Sequence, residues 1–338
     1  MTDGRRQAVL VLRALGLGDA LAAVPALRGL RRLFPGLPLL LAASGPSARL
    51  LHDCGVVDGV VPTTGLDGPP PGAGLGPHLA VNLHGRGPLS HRLLLAGGPD
   101  ELVAYRCTEA GVDGPAWNGT EHEVRRWCRL VDAAASARGR RRVCRPADLR
   151  LELPGHWTPP VVPGVPPGNR YAVVHPGAAA AARRWPARRW ARVARELERT
   201  GVSVVLTGGP DERALVRGVA AAAGLPPERC TAGELSLPEL SALVAGAALL
   251  ACGDTGVAHL GTALGTPSVI VFGPVPPTRW GPLADPERHT VIWHGAGLGE
   301  GDGNAATCDP VLLRVRVDEV LAAALARLDL VPAGTAGS

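Results

Sequence analysis

Residues 153–168 read LPGHWTPPVVPGVPPG, with six prolines among sixteen residues. Proline fixes φ and donates no backbone hydrogen bond, so this stretch can be neither a helix nor a central strand. On both sides of it, short aliphatic runs alternate with helical stretches. The sequence therefore predicts two α/β domains joined by a proline-rich linker, which suits a chain of 338 residues.

The predicted strands are nearly continuous apolar runs, which is typical of a parallel sheet covered on both faces. They lie at 8–12, 37–43, 79–83, 171–175, 202–207, 248–252 and 268–272. Helices are expected at 20–33, 121–135, 187–199, 212–223, 238–244 and 257–264. We expect domains at 1–155 and 169–330, a linker at 156–168 and a frayed tail at 331–338. Ligands of such sheets bind beyond the carboxyl ends of the strands, so we expect the site in the cleft between the domains.

The composition argues against several classes of protein. Hydrophobic residues make up 46% of the chain and charged residues 19%, which excludes wholesale disorder. All 35 basic residues are Arg and no basic tract is interleaved with aromatics, so we expect anionic small molecules rather than nucleic acid as ligands. The seven Cys residues are scattered, which argues against a CxxC site or a disulfide framework. Charged residues interrupt the only signal-like stretch and no apolar run is long enough for a membrane span, so we expect a soluble cytoplasmic protein.

A first candidate site follows the first predicted strand, where residues 13–20 read RALGLGDA. Gly16 and Gly18 allow a tight turn and a close approach of a ligand to the backbone. Leu21 stands where a GxGxxG fingerprint needs Gly, which disfavours a dinucleotide-dependent dehydrogenase. Asp19 is either the N-cap of the next helix or a carboxylate that takes a proton from a hydroxyl group.

A second candidate site begins at residues 174–177, VHPG, and continues through an alanine run to residues 183–186, RRWP. A strand, a small-residue loop, paired Arg side chains and a helix N-terminus together describe a phosphate cradle. The alternative is a solvated basic turn above packed Trp185 and Trp190. Residues 207–212, TGGPDE, are predicted to be an ordinary strand–helix connection.

The third candidate site is a strand-to-helix junction at residues 252–259, which read CGDTGVAH. A diphosphate at this helix N-terminus would meet backbone amides and the helix dipole together. His259 lies four residues after Thr255 on the same helical face, although a helical His is also often a packed side chain. Residues 273–282 are expected to form a wall of the site, and the carboxylates are not clustered as a metal site requires.

These motifs, in this order, resemble glycosyltransferase family 9, the heptosyltransferase-like enzymes of the GT-B architecture. The resemblance covers most of the chain, from residue 9 to about 328. It rests on Gly18-Asp19 with Pro25-Ala26-Leu27, His175-Pro176-Gly177, Arg183-Arg184-Trp185-Pro186, Gly208-Gly209, Leu235-Ser236-Leu237, Asp254-Thr255-Gly256 with His259, Gly265-Thr266-Pro267, Phe272-Gly273-Pro274 and Cys308. It implies two Rossmann-like, doubly wound parallel-sheet domains facing across a cleft, with a last helix that can pack back on the first domain.

The resemblance also implies the chemistry: an inverting transfer, without metal or other cofactor, of a heptose-like sugar from a nucleoside-diphosphate donor, with ADP-heptose favoured. The acceptor would be a glycolipid core or another cell-envelope glycoconjugate. Asp19 corresponds to the catalytic base, and His84 and Arg86 are acceptor-side candidates. Donor-binding candidates are Gly18, His175, Gly177, Arg183, Arg184, Glu234 (for the ribose), Asp254, Thr255, Gly256 and His259.

Two alternatives remain open at this point, a non-catalytic nucleotide-sugar-binding protein and a GT-B-fold nucleotide-sugar epimerase. An epimerase would need further acid and base groups around the sugar, and the sequence offers no clear candidates for them. We expect a monomer that makes at most peripheral contact with the inner face of the cytoplasmic membrane.

Overall fold

The computed structural model describes residues 7–166 and 168–329, and its chain divides into two compact units between Leu149 and Arg150. The predicted tail at 331–338 lies outside the described residues, as does Pro167 of the predicted linker.

The first unit contains a sheet of five parallel strands in the order β3-β2-β1-β4-β5. The strands are β1 (Ala8–Leu12), β2 (Leu39–Ala42), β3 (Gly59–Val61), β4 (His78–Asn82) and β5 (Glu101–Val103). The helices are α1 (Leu17–Ala22), α2 (Val24–Leu33), α3 (Gly45–Asp53), α4 (Leu89–Ala96) and α5 (Glu123–Ser136). Every residue of the central strand β1 is buried, as its unbroken apolar run predicts.

The second unit contains another sheet of five parallel strands, in the order β10-β9-β8-β6-β7. The strands are β6 (Tyr171–His175), β7 (Ser203–Leu206), β8 (Leu249–Gly253), β9 (Ser268–Val271) and β10 (His289–Ile292). The helices are α6 (Ala187–Arg199), α7 (Arg213–Ala223), α8 (Leu237–Gly246), α9 (Gly256–Leu264), α10 (Pro277–Trp280), α11 (Pro310–Arg314) and α12 (Val317–Arg327).

The core of the second unit is built around two tryptophans and the last helix. Trp185 and Trp190 pack edge to face with ring centroids 4.8 Å apart, a favourable aromatic geometry. Val320, Ala324 and Leu325 of α12 join the same buried cluster, so the last helix packs within its own unit.

Both sheets are parallel throughout, which confirms the predicted fold class of two doubly wound α/β domains. In each sheet the chain reverses its direction of winding between two neighbouring strands, β1 and β4 in the first unit and β6 and β8 in the second. Ligands of open α/β sheets bind beyond the carboxyl ends of the strands at such switch points. The fold therefore gives each unit one edge at which functional residues are expected.

Two features differ from the sequence prediction. The expected single helix at 20–33 is two helices, α1 and α2, with Pro25 in the first turn of α2, where its missing N–H costs no helical bond. The division between the units precedes the proline-rich segment because residues before that segment already bond within the second unit: Leu151 N–H donates to the Ala263 carbonyl (2.8 Å) and Arg150 pairs with Asp285 (2.8 Å).

Across the described ranges 7–166 and 168–329, no helix has both the length and the apolar character required to cross a membrane.

Candidate functional site

The switch point of the second unit brings two of the sequence motifs together. His175 at the end of β6 lies opposite Cys252 in β8, so the segments that follow them leave the sheet side by side. Gly253 permits close approach here, because a Cβ atom at this position would lie 3.1 Å from the Arg183 carbonyl oxygen. The loop after β6 therefore passes the end of β8 and brings Arg183 next to Asp254.

Asp254 is buried at this edge, and the half-buried Arg183 places an opposite charge near it. Asp254 is 5% exposed, and its burial raises the pKa of the carboxyl group to about 6, although the charge of Arg183 acts in the lowering direction. The Arg183 Nε atom is buried and has no hydrogen-bond partner among the residues that the structure describes. Because an unpaired buried donor is costly, this guanidinium is suited to receive an acceptor atom of a bound anion.

The N-terminus of α9 contributes backbone donors to the same edge. Thr255 precedes the helix with an extended backbone, and its hydroxyl makes no capping bond to the helix. The amides of Gly256 and Val257 are in the first turn, where no intrahelical acceptor is available to them. Amides, helix dipole and Arg183 together form a positively polarised edge that suits a phosphate group.

His259 lies one turn further along α9, against an aromatic wall. Its ring centroid is 5.5 Å from that of Trp280 in α10, in an edge-on arrangement. Trp280, which lies in the segment 273–282, therefore contacts the helix that carries the motif. Trp280 is a candidate site residue that sequence reasoning did not name individually, although its proline-rich surroundings indicated a rigid wall.

A buried polar cluster supports the loop after β6. His175 Nδ1 lies 2.9 Å from the Thr207 hydroxyl and Nε2 lies 3.8 Å from the Glu212 carboxylate. Burial lowers the pKa of His175, and the Glu212 charge only partly opposes this effect. Glu212 also accepts the Gly209 N–H at 2.8 Å, and a side chain at Gly177 would collide with its carboxylate. The segment 207–212 connects β7 to α7, as predicted, and it also places the Glu212 carboxylate beside His175 and Gly177.

Two predicted donor residues occupy supporting or peripheral positions. Arg184 Nε donates to the Ala178 carbonyl at 2.7 Å. This bond joins the two ends of the loop 178–184, which also contains Arg183. Glu234 is exposed, on a turn that the Gly233 N–H anchors to the Gly208 carbonyl at 2.8 Å. Glu234 is therefore near the 207–212 segment, but it lacks the fixed, half-enclosed setting of Glu212.

The switch point of the first unit carries Asp19, the predicted base. Asp19 is the third residue of α1, whose N-cap is Gly16, and no side-chain bond caps this helix. The alternative interpretation of Asp19 as the N-cap is therefore wrong. Its Oδ1 atom accepts a hydrogen bond from Arg13 Nη2 at 2.9 Å, and 34% of the Asp19 side chain is exposed. Gly18 also lies on α1 and so belongs to the first unit, unlike the other predicted donor-binding residues.

Arg13 and Glu123 are members of this site that sequence reasoning missed. Arg13 is 1% exposed, and its Nη2 also donates to Glu123 Oε1 at 3.0 Å. Its Nη1 donates to the Leu83 carbonyl at 2.5 Å, and its guanidinium carbon lies 4.9 Å from the Trp127 ring centroid. The sequence gives one indication that Arg13 belongs to a site, which is that this charged residue directly follows a predicted buried strand.

The acceptor-side candidates lie on the loop after β4, next to β1. His84 Nδ1 accepts the Ala14 N–H at 3.2 Å, which fixes the ring beside the segment that carries Asp19. Burial, with a smaller contribution from the charge of Arg13, lowers the pKa of His84 and favours the neutral imidazole. Arg86 is exposed on the same loop.

Among residues 7–166 and 168–329, no group of three or more His, Cys, Asp or Glu side chains is arranged to hold a metal ion.

A family model and a known protein that match this chain belong to the same family. Residues 120–298, just over half of the chain, match the family model of glycosyltransferase family 9 (heptosyltransferase). A lipopolysaccharide heptosyltransferase 3 of Escherichia coli is 34% identical over 120 residues, which are 35% of this chain and 35% of that protein. The match thus spans only about a third of that relative's length.

Two solved structures share the fold at low sequence identity. The glycosyl transferase family 9 structure from Veillonella parvula DSM 2008 superposes with a TM-score of 0.74 at 19% identity, over 95% of this chain and 97% of that chain. The structure of E. coli ADP-heptose lps heptosyltransferase II superposes with a TM-score of 0.74 at 19% identity, over 95% and 98% of the two chains.

Proposed function

Since the chain belongs to glycosyltransferase family 9, we propose that it transfers a heptose-like sugar from a nucleoside-diphosphate donor, preferably ADP-heptose, to a glycolipid-core or other cell-envelope acceptor. The second unit binds the donor and the first unit supplies the base and the acceptor contacts. The observation that carries this proposal is the position of Arg183 next to Asp254 at the N-terminus of α9, because this edge offers an anion a cation, a buried unpaired Nε donor and first-turn amides.

The donor diphosphate binds Arg183 and the amides of Gly256 and Val257. These groups supply fixed positive charge and oriented dipoles that need no reorganisation when the leaving group gains charge. His175, Gly177 and Arg184 shape the loop on which Arg183 is held. Asp254, Thr255 and His259 contact the sugar.

The ribose of the donor needs an acceptor for its two hydroxyl donors. Glu234 was the sequence candidate, and the geometry adds Glu212, whose carboxylate is fixed at the edge by the Gly209 amide (2.8 Å). The comparison of Glu212→Gln with Glu234→Gln identifies the residue, since only loss of the ribose acceptor weakens binding of the nucleoside diphosphate relative to inorganic pyrophosphate.

Asp19 acts as the general base of a single displacement. It takes the proton of the acceptor hydroxyl as the hydroxyl oxygen bonds to the anomeric carbon, while the bond from that carbon to the diphosphate oxygen breaks. The nucleoside diphosphate leaves, and attack from the opposite side inverts the anomeric configuration. His84 and Arg86 contact the acceptor.

The transfer proceeds without a metal, because Arg183 and the helix amides take the role that a divalent cation would have at the leaving diphosphate. We further propose that the protein works as a monomer in the cytoplasm and contacts the inner face of the cytoplasmic membrane peripherally when its acceptor is a glycolipid.

A ligand panel in EDTA tests the proposal. Thermal unfolding is measured with ADP, GDP, UDP, dTDP and NAD, since a ligand at a hundred times its Kd stabilises the folded state by about 2.7 kcal/mol. We expect ADP to stabilise most. Stabilisation by NAD alone, or by none of the five, would contradict a nucleotide-sugar site.

A second experiment separates a transferase from its alternatives. ADP-heptose is incubated with a heptose-deficient glycolipid, and the product's anomeric configuration is determined by NMR. An inverted glycoside supports the proposal. Binding without turnover identifies a non-catalytic binder, and an isomerised donor without glycoside identifies an epimerase.

A further inference from the structure

We propose that Glu123 is a positioning residue for the transfer reaction, which holds Arg13 and keeps Asp19 basic by balancing the charge of that arginine. This inference rests on the proposed function, specifically on Asp19 as the general base.

One nitrogen atom of Arg13 connects the two carboxylates. Arg13 Nη2 donates to Asp19 Oδ1 at 2.9 Å and to Glu123 Oε1 at 3.0 Å. The Arg13 Nε atom donates to the Asp19 carbonyl at 3.0 Å, so the same guanidinium fixes the backbone and the side chain of Asp19. The geometry makes Arg13 the orienting group for the base and Glu123 the orienting group for Arg13.

Glu123 is itself held rigidly. Its side chain is 8% exposed, Trp127 Nε1 donates to Oε1 at 2.7 Å, and Arg126 pairs with Oε2. Glu123 is not needed to cap α5, because the side chain of His122 accepts the Val124 N–H at 3.2 Å and does so. The buried Glu123 carboxylate therefore joins Arg13, which follows β1, to Arg126 and Trp127 of its own helix α5.

The charge balance decides the basicity of Asp19. An arginine next to a carboxylate stabilises the ionised form, which lowers the pKa and makes the carboxylate a weaker base. A second carboxylate on the same guanidinium opposes that effect. Arg13 therefore orients Asp19, and the charge of Glu123 offsets part of the decrease in the pKa of Asp19 that Arg13 alone would cause.

Other charged groups near this network are already paired or exposed. Arg126 is bound by Glu123, and burial favours the neutral form of His84. On α2, which packs against α1, Arg28 and Arg32 pair with Asp148, and Arg31 pairs with Asp58. On α3, His52 pairs with Asp53. Both Arg49 and His52 are exposed to solvent. Arg13 is thus in direct contact with two carboxylates, that of Asp19 and that of Glu123.

The test is the pH dependence of kcat for Glu123→Gln. Without the Glu123 charge, Arg13 lowers the pKa of Asp19, so the acid limb of the profile should move about one unit to lower pH. The plateau rate should fall about threefold to tenfold, because a weaker base removes the proton more slowly. The affinity for ADP, which the second unit binds, should stay within about twofold because the substituted side chain lies in the first unit. A merely structural role would lower the fraction of active protein and leave the limb in place.

Glu121→Gln is the matched control. Glu121 precedes the same helix and pairs with Arg129 at 2.9 Å, so its loss should leave the acid limb and the plateau unchanged. A second variant, Glu123→Asp, retains the charge but shortens the side chain. Its limb should stay at the wild-type pH while its rate falls, and this variant decides the question if Glu123→Gln does not fold.

Each outcome is distinguishable. A folded Glu123→Gln variant with an unshifted acid limb, or a Glu123→Asp variant with a shifted one, overturns the role of Glu123 while the proposed transfer stands. Wild-type protein without acceptor-dependent turnover overturns the proposed function and this inference together. An Asp19→Asn variant with wild-type turnover removes Asp19 as the base, and this inference with it, while the proposed transfer stands.

Discussion

His175 and Cys252 lie opposite each other in neighbouring parallel strands, at the edge where β6 and β8 end. This one register relationship places the loop that carries Arg183 beside the junction that carries Asp254 and Thr255. Two motifs that are far apart in the sequence thereby meet at one edge, the candidate donor site, and the predictions for that site follow from this arrangement.

Arg183→Ala should weaken nucleoside-diphosphate binding. The variant removes a charged donor whose Nε atom has no partner among the described residues, so the expected loss is about 1.5–3 kcal/mol, or roughly 10- to 100-fold in Kd. Calorimetric titration with ADP in EDTA measures it. Arg188→Ala, which removes an exposed arginine of α6, serves as the control and should bind normally. Equal affinities for the two variants would remove Arg183 from the site.

Asp254→Asn should stabilise the protein at alkaline pH. Burial raises the pKa of Asp254 to about 6, so between about pH 4 and 6 the folded state holds a proton that the unfolded state has released. The contribution of this group to the free energy of unfolding therefore falls as the pH rises through that window. Above it, the variant should be more stable than the wild type by up to about 3 kcal/mol, and near pH 4 the two should be equal.

Urea denaturation at pH 4 and pH 8 measures this difference. Asp113→Asn removes a carboxylate whose side chain is 95% exposed and should show no such pH-dependent gain. A gap between wild type and Asp254→Asn that is the same at both pH values would contradict the burial of an ionised Asp254.

Ser236→Ala should cost stability but not nucleotide affinity. Ser236 begins α8 with a capping box: its hydroxyl accepts the Glu239 N–H (3.4 Å), and Glu239 Oε2 accepts the Ser236 N–H (2.8 Å). Loss of such a cap costs about 1 kcal/mol of unfolding free energy, measurable in urea. The Leu235-Ser236-Leu237 motif would then be structural. Wild-type stability would show that the cap is dispensable, and weakened ADP binding would give the motif a second role.

The central strands of both units could be predicted because they are unbroken apolar runs. The predicted strand at 171–175 coincides with β6, and the predicted helix at 187–199 coincides with α6. The strands β3, β5 and β10 were missed because they have only three or four residues and are partly exposed, so neither length nor periodicity distinguishes them from loops. The break between α1 and α2 was missed because the apolar pattern continues through it.

The candidate site was predictable where its residues lie at a strand end. Asp19, Arg183 and Asp254 each follow a predicted strand, and the structure places each at a switch point. The bond between Arg13 and Glu123 was not predictable, because it joins residues 110 positions apart and Glu123 reads as an ordinary acidic residue at a helix start. The carboxylate of Glu212 was missed for the same reason, since only the tertiary structure brings it under Gly177.

The most direct test of the account is acceptor-dependent release of ADP from ADP-heptose by wild-type protein and Asp19→Asn, in EDTA. Removal of a general base typically lowers the rate by about a hundredfold or more, while binding of the donor by the second unit should not change. We therefore predict wild-type turnover without metal, a rate for Asp19→Asn at or below about one hundredth of it, and the same ADP affinity for both. Equal rates for the two proteins, or no acceptor-dependent release by the wild type, would contradict the account.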